Sequence, residues 1–129
     1  MRLSFDRLLS AKSHKFDWDE MPLYNKDDDH EVRLVEIGDT VITMVAGRGG
    51  WNAQDTFRKL PDAMCQSSHF GFVVKGRVNI ITKDGPIECV AGDAYYQAAP
   101  HRVEWLEDSV LVEFSERNGF WDTEVVMKS

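Results

Sequence analysis

The sequence contains no long apolar segment and no excess of positive charge. No stretch approaches the ~20 consecutive apolar residues that a membrane-spanning helix needs, so we do not expect a membrane protein. Asp and Glu number 22 against 15 Lys and Arg, which gives a net charge of -7. Such a surface repels phosphate groups, and no basic stripe compensates for it. We therefore expect no nucleic-acid partner and no anionic membrane partner.

Cysteine is scarce, and the N-terminus lacks the features of a secretion signal. Acidic residues interrupt the apolar ones near the N-terminus, where a signal would have an uninterrupted apolar centre. These features predict a cytoplasmic protein. Cys65 and Cys89 are the two cysteines. In a reducing compartment, free thiols or a role as a ligand are expected before a disulfide.

The length of 129 residues predicts one domain, preceded by a short arm. We assign residues 1–30 to an N-terminal arm and residues 31–129 to the domain. Apolar residues at helical spacing in residues 4–12 predict a short helix in the arm. The run of residues 26–30, KDDDH, predicts a solvated loop, because its acids lack the alternate spacing of a calcium loop.

After residue 30 the pattern changes to short apolar runs that alternate with turns. Turns are predicted at Gly38-Asp39, at Lys83-Asp84-Gly85 and at Ala91-Gly92-Asp93. Regular spacing of this kind indicates an all-β protein rather than βαβ units. The tail from Glu116 contains enough apolar residues to dock on the barrel or on a second subunit.

Strand periodicity places several chemically active side chains on one face. In the strand that starts at His69, this residue shares its face with Gly71 and Val73, and an extended chain puts Cys65 there too. In the later strand, His101 and Trp105 are predicted to point inward because Arg102 and Glu104 suit solvent. Two histidines and a cysteine are ligands for zinc, or for iron, copper or nickel, rather than for magnesium or calcium.

Other interpretations of these residues stay open at this point. A buried histidine that donates to a backbone carbonyl, or a buried cysteine that acts as a small hydrophobe, is common in cores. Cys65 is also a candidate nucleophile with His69 or His101 as its base. Tyr95 and Tyr96 are candidates for proton transfer, and Gln97 and Trp105 for the ligand pocket. Nothing in the sequence places Glu88 or Glu113 at a pocket.

Two segments resemble the sequence motifs of the cupin superfamily, in particular small single-domain, RmlC-like cupins. HFGFVVKGRVNIITKDG is similar to the first motif, and AGDAYYQAAPHRVEWLED to the second. The resemblance implies an all-β fold, a cupin-type jelly-roll β-barrel with a short N-terminal arm or helix. It also covers MCQSSHFGFVVKGR, which resembles a group of small cupins with a cysteine four residues before the histidine.

The ligand positions depart from the usual cupin pattern. Counting back from Gly76 puts His69 at the position of the usual glutamate, and Ala63 and Cys65 at those of the two first-motif histidines. The usual second-motif histidine falls on Val103, and His101 precedes it. The resemblance implies a modified metal site of Cys65, His69 and His101, with zinc expected first. Three protein ligands leave a further position for water or substrate.

The resemblance predicts a small cupin that binds a divalent metal and a small polar or anionic ligand in the barrel. Arg48 or Arg77 is our candidate counter-charge for an anionic ligand. The protein acts as a metal-dependent enzyme in one interpretation, as a non-catalytic binding or sensing module in a second, and as a metal-free structural barrel in a third. The outward-facing side chains of Phe70, Phe72 and Val74 need a cover. We expect a homodimer, with the N-terminal arm as the alternative cover.

Overall fold

Two antiparallel sheets form the body of the computed structural model, which describes residues 15–51, 54 and 56–128. These residues contain nine strands: β1 (Leu23–Lys26), β2 (His30–Ile37), β3 (Thr40–Gly47), β4 (His69–Lys75), β5 (Arg77–Thr82), β6 (Gly85–Val90), β7 (Ala94–Gln97), β8 (His101–Trp105) and β9 (Ser109–Glu116). The larger sheet has the order β1-β2-β3-β9-β4-β7, and the smaller one β6-β5-β8. The predicted all-β jelly roll is confirmed, but the sheets do not close into a continuous barrel.

The alternation predicted for β4 is present in the structure. His69, Gly71 and Val73 are buried, while Phe70 and Phe72 are exposed on the opposite face. The predicted turns also separate strands, since Gly38 lies between β2 and β3 and Gly92 between β6 and β7. Both glycines have a positive φ, of 56° and 98°, which side chains rarely adopt.

The hydrophobic core lies between the two sheets. Its buried members are contributed by β4, β5, β6, β8 and β9, and they are Val73, Val78, Ile80, Cys89, Trp105 and Leu111. Because both sheets supply inward-facing residues, burial of these side chains stabilises the packing of one sheet on the other.

A short backbone bridge connects the segment before β4 to the smaller sheet. The Cys65 N–H donates to the His101 carbonyl at 2.6 Å, and the His101 N–H donates back at 3.1 Å. The bridge lies at the end of the molecule where β4 and β8 begin. It therefore holds Cys65 beside the first residue of β8.

A helix, Arg117–Lys128, follows β9 directly. It was not predicted from the sequence, which indicated only that this tail would dock. The Glu116 side chain accepts hydrogen bonds from the N–H groups of Asn118 and Gly119 and so caps the first turn. Arg117 fixes the helix start to the β2–β3 turn through ion pairs with Glu36 and Asp39, each at 3.5 Å.

The N-terminal region joins the larger sheet sooner than the predicted arm suggested. Strand β1 lies inside residues 1–30 and pairs with β2, and a short 3-10 turn, Trp18–Glu20, precedes it. The helix expected at residues 4–12 lies outside the described residues. Among the residues that the structure does describe, no helix has the length and apolar character to cross a membrane.

Candidate functional site

Three potential metal ligands meet inside one end of the fold. One ligand atom from each of Cys65, His69 and His101 can be chosen so that all three lie within 4.8 Å of one another, and all three residues are buried. Cys65 Sγ lies 3.5 Å from His69 Nε2. The two imidazole rings are 4.9 Å apart between centroids and nearly perpendicular, at 74°. The sequence-predicted residues are therefore brought together.

Both imidazoles are oriented by hydrogen bonds at Nδ1. His101 Nδ1 lies 3.2 Å from the Ala98 carbonyl, and since a carbonyl only accepts, this nitrogen carries the hydrogen. His69 Nδ1 lies 2.6 Å from the hydroxyl oxygen of Ser115, its cross-strand neighbour on β9. Nε2 of each ring is thus the nitrogen left for a metal ion. Metal-binding histidines in proteins have this kind of second partner.

Burial sets the protonation of these groups. It lowers the pKa of His69 to about 4, and burial together with the neighbouring His69 lowers the pKa of His101 to about 4. Both imidazoles are therefore neutral near pH 7, the form that binds metals. Burial raises the pKa of the Cys65 thiol to about 12, and its Sγ–H donates to the Ser67 carbonyl at 3.6 Å.

The donor set fits a divalent transition metal or zinc. Two neutral imidazole nitrogens and one sulfur are ligands of intermediate softness, which suit zinc, iron, copper or nickel. A buried thiol loses its proton when it binds such an ion. The three residues are contributed by separate segments, namely the bridge before β4 and the starts of β4 and β8, so the fold itself creates the cluster.

A cavity of about 150 Å³ adjoins the cluster. Apolar and aromatic side chains form much of its wall, among them Val45, Trp51, Phe57, Val103 and Leu111. The C-terminal helix covers part of it with residues at helical spacing, which are Phe120, Thr123, Glu124 and Met127. Gln97 and Trp105, both predicted as pocket residues, line this cavity and are 1% and 3% exposed.

A buried carboxyl group, Glu113 on β9, also lines the cavity and was not predicted as a site residue. Burial raises its pKa, so the neutral form is favoured. Its partner is Tyr95, whose hydroxyl donates to Glu113 Oε2 at 2.6 Å. The alternation of β9 places residues 111, 113 and 115 on the inner face, which is the signal that identifies Glu113 in retrospect.

The two tyrosine candidates lie in different surroundings. Tyr95 points inward, and its ring lies over Gly71. Its connection to the cavity is indirect, through the hydrogen bond to Glu113. The Tyr95 ring occupies the space above Gly71, which shares its strand face with His69. Tyr96 lies on the outer face, 54% exposed, with its ring 4.9 Å from that of Phe70. The structure therefore does not bring Tyr96 to the cavity.

The arginines proposed as counter-charges lie away from the cavity. Arg77 is exposed and interacts with Glu88 and Glu107, at 3.5 and 3.7 Å. Arg48 lines a separate surface groove that also contains Asp27. Among the described residues, the arginine that lines the cavity is instead Arg102, which was predicted to face solvent but is half-buried.

Solved structures share this fold. No protein-family model matches the chain, and no curated protein does. KdgF from Halomonas sp. is 19% identical with a TM-score of 0.56, over 79% of this chain and 93% of that protein. An RmlC-like cupin from Shewanella frigidimarina is 10% identical with a TM-score of 0.59, over 82% and 92%. A sugar phosphate isomerase described as cupin superfamily, from Silicibacter pomeroyi, is 12% identical with a TM-score of 0.56, over 81% and 76%. At these identities the likeness shows the fold, which is that of the cupins.

Proposed function

Starting from the cupin fold, we propose that this protein binds a divalent metal ion through Cys65, His69 and His101 and a small molecule in the adjoining cavity. The observation that carries the proposal is the convergence of three buried ligand atoms within 4.8 Å. Because the Nδ1 atoms are engaged elsewhere, Nε2 is the ring nitrogen that each histidine has left for a metal ion. Zinc is the first expectation, with iron, copper or nickel as alternatives.

The surrounding residues support a site for chemistry as well as for binding. When bound, an ion of this class supplies Lewis-acid polarisation of a ligand oxygen. Glu113 is a carboxyl group at the cavity wall whose pKa is raised by burial, which favours the protonated form relative to an exposed carboxyl group. Tyr95 fixes the orientation of this carboxyl through its hydrogen bond. In the enzyme interpretation, Glu113 therefore takes the proton-transfer role first considered for the tyrosines.

One observation supports a second candidate function, that of a binding or sensing module without turnover. Ala63 and Val103 occupy positions where the resemblance to cupins leads to the expectation of histidines. The site thus retains fewer nitrogen ligands than the usual pattern. Screening the metal-loaded protein for turnover distinguishes the enzyme from the binding module.

The cavity also refines the expected ligand. Its walls are largely apolar, and its polar groups include Gln97, Glu113 and the half-buried guanidinium of Arg102. We therefore propose a small ligand whose polar or anionic part is restricted to one portion of an otherwise apolar molecule.

Metal content, measured by mass spectrometry on the untagged protein, tests the proposal. We expect about one equivalent of metal in the wild type and its loss in Cys65→Ala, His69→Ala and His101→Ala. Cys89→Ala and His30→Ala are matched controls, since Cys89 belongs to the core and His30 lines the cavity outside the cluster. Both controls are expected to keep the metal.

The absence of metal from the wild type after reconstitution with zinc, iron, copper and nickel would contradict the proposed centre. Retention of metal by all three cluster variants would also contradict it. A loss from the controls equal to the loss from the cluster variants would mean that folding, rather than ligation, is affected.

We further propose a cytoplasmic homodimer. Both cysteines are unpaired and buried, as suits a reducing compartment. The outer face of the larger sheet bears an apolar patch, which we define as Phe70, Phe72, Tyr96 and Phe114. Each of the four side chains is at least 43% exposed, and a second copy of the chain is our proposed cover.

A further inference from the structure

We propose that the cavity recognises a compact molecule with an apolar body and a neutral head group that both donates and accepts hydrogen bonds, such as a carboxamide, and that Gln97 binds this head group. The inference rests on the proposed function in that it takes the cavity to be the ligand site. It adds the chemical class of the ligand and the residue that selects it.

Gln97 is placed beside the metal cluster by the register of the sheet. It lies directly opposite His69 in the β4–β7 pair, so the two side chains are neighbours on the inner face. Gln97 is 1% exposed and lines the cavity. Neither its Nε2 nor its Oε1 has a hydrogen-bond partner among the described residues.

An unpaired amide in such a position has a chemical preference. A buried donor or acceptor left without a partner costs about 1–3 kcal/mol, so a ligand that pairs with it is favoured. The amide of Gln97 offers N–H donors and one carbonyl acceptor. A carboxylate accepts from the N–H groups but leaves the Gln97 carbonyl oxygen unpaired. A carboxamide pairs with both, because its carbonyl accepts from the Gln97 N–H and its own N–H donates to the Gln97 carbonyl oxygen.

The cavity walls determine the chemistry of the ligand body, the part other than the head group. Trp51 and Trp105 lie side by side with ring centroids 5.6 Å apart, and Val103 and Leu111 line the same cavity. A volume of about 150 Å³ limits the ligand to a small body. Apolar walls of this kind favour an apolar or aromatic body over a polyhydroxylated one, whose hydroxyl groups would find few partners.

Three fragments of nearly equal shape test the head group. Benzamide donates and accepts, acetophenone only accepts, and benzoate accepts and is anionic. We expect benzamide to bind the metal-loaded wild type at least about tenfold more tightly than the other two, by ligand-observed NMR titration. This comparison needs no variant, so it holds even if substitution at Gln97 impairs folding.

Gln97→Met removes the amide at similar volume, and Gln66→Met makes the same change at an exposed glutamine. We expect benzamide affinity to fall about tenfold or more in Gln97→Met only. Equal benzamide binding in both variants, equal binding of the three fragments, or no binding of benzamide would overturn the inference. A preference for benzoate would overturn it in favour of an anionic ligand.

Metal content measured on the same samples separates this inference from the proposed function. Gln97-dependent binding of benzamide to a protein that takes up no metal would sustain the inference and contradict the metal centre. One equivalent of bound metal, together with benzamide binding that does not depend on Gln97, would support the metal centre and overturn the inference.

Discussion

The Tyr95 hydroxyl and the Glu113 carboxyl form a 2.6 Å hydrogen bond across the backbone of Gly71. The bond joins β7 to β9 over the intervening strand β4. Tyr95→Phe deletes the donor and leaves a buried carboxyl with one partner fewer. We expect the free energy of unfolding to fall by about 1–3 kcal/mol in urea denaturation. Tyr96→Phe, at an exposed site, is the matched control and is expected to change it by less than about 0.5 kcal/mol.

Gly71 makes that hydrogen bond possible. A Cβ added at position 71 would overlap with the Tyr95 ring, and the three nearest atoms all belong to that side chain. We expect Gly71→Ala to destabilise the fold by about 1–3 kcal/mol. In a Tyr95→Ala background the same change is expected to cost much less. A double-mutant cycle measures the difference, and an equal cost in both backgrounds would show that the ring is not the obstacle.

The stability of the metal-free protein is expected to depend on pH through its two buried histidines. Their pKa values lie at about 4 in the folded chain, below the ordinary value of about 6.5. Between these values the unfolded chain binds protons that the folded chain does not, so the free energy of unfolding falls as pH falls from about 6.5 to 4. Each histidine contributes up to about 3 kcal/mol of that loss.

Urea denaturation with EDTA across this range tests the prediction. His69→Gln with His101→Gln should flatten the profile, and an unchanged profile would contradict the assignment. Glu113 acts in the opposite sense, because its raised pKa means that the folded chain keeps a proton that the unfolded chain releases. Its contribution to the free energy of unfolding is therefore lost as pH rises. Glu113→Gln is expected to abolish only this part of the pH dependence.

The outer apolar patch predicts the oligomeric state. Phe70 pairs in register with both Tyr96 and Phe114, which makes the patch continuous across three strands. Light scattering at micromolar concentration is expected to give the mass of two chains. Phe70→Ser with Phe72→Ser should shift the protein to one chain. Val125→Ser, on an exposed helix position, is the control. A wild-type monomer would contradict the proposed dimer.

Strand periodicity accounts for what could be predicted of the site. A period of two places His69 and His101 inward without any knowledge of the partner strands, and it extends to Cys65 because the chain before β4 stays extended enough to bridge to His101. Glu113 obeys the same rule. It was missed because a charged residue on an alternating strand is normally assigned to solvent, and its partner Tyr95 lies 18 positions away in sequence.

The C-terminal helix shows where local patterns were insufficient. The residues that face the cavity, at positions 120, 123, 124 and 127, have the spacing of one helix face. Two of these residues, Thr123 and Glu124, are polar, so the sequence pattern does not predict an apolar helix face. Gly119 in the first turn weakens the helical signal further. The start of the helix is fixed by a contact between Arg117 and the β2–β3 turn, which are far apart in sequence. The sequence around Arg117 therefore does not indicate this contact.

The proposed metal ligation and the shape of the cavity wall depend on different parts of the fold. The bridge before β4 and the starts of β4 and β8 supply the cluster of Cys65, His69 and His101, whereas Phe120 and Met127 on the terminal helix line another part of the cavity. Substitutions on this helix can therefore alter which molecules fit while the ligand cluster stays intact. Under the proposed function, the twelve residues of the C-terminal helix are therefore the part of the chain where substitutions are expected to change ligand selectivity.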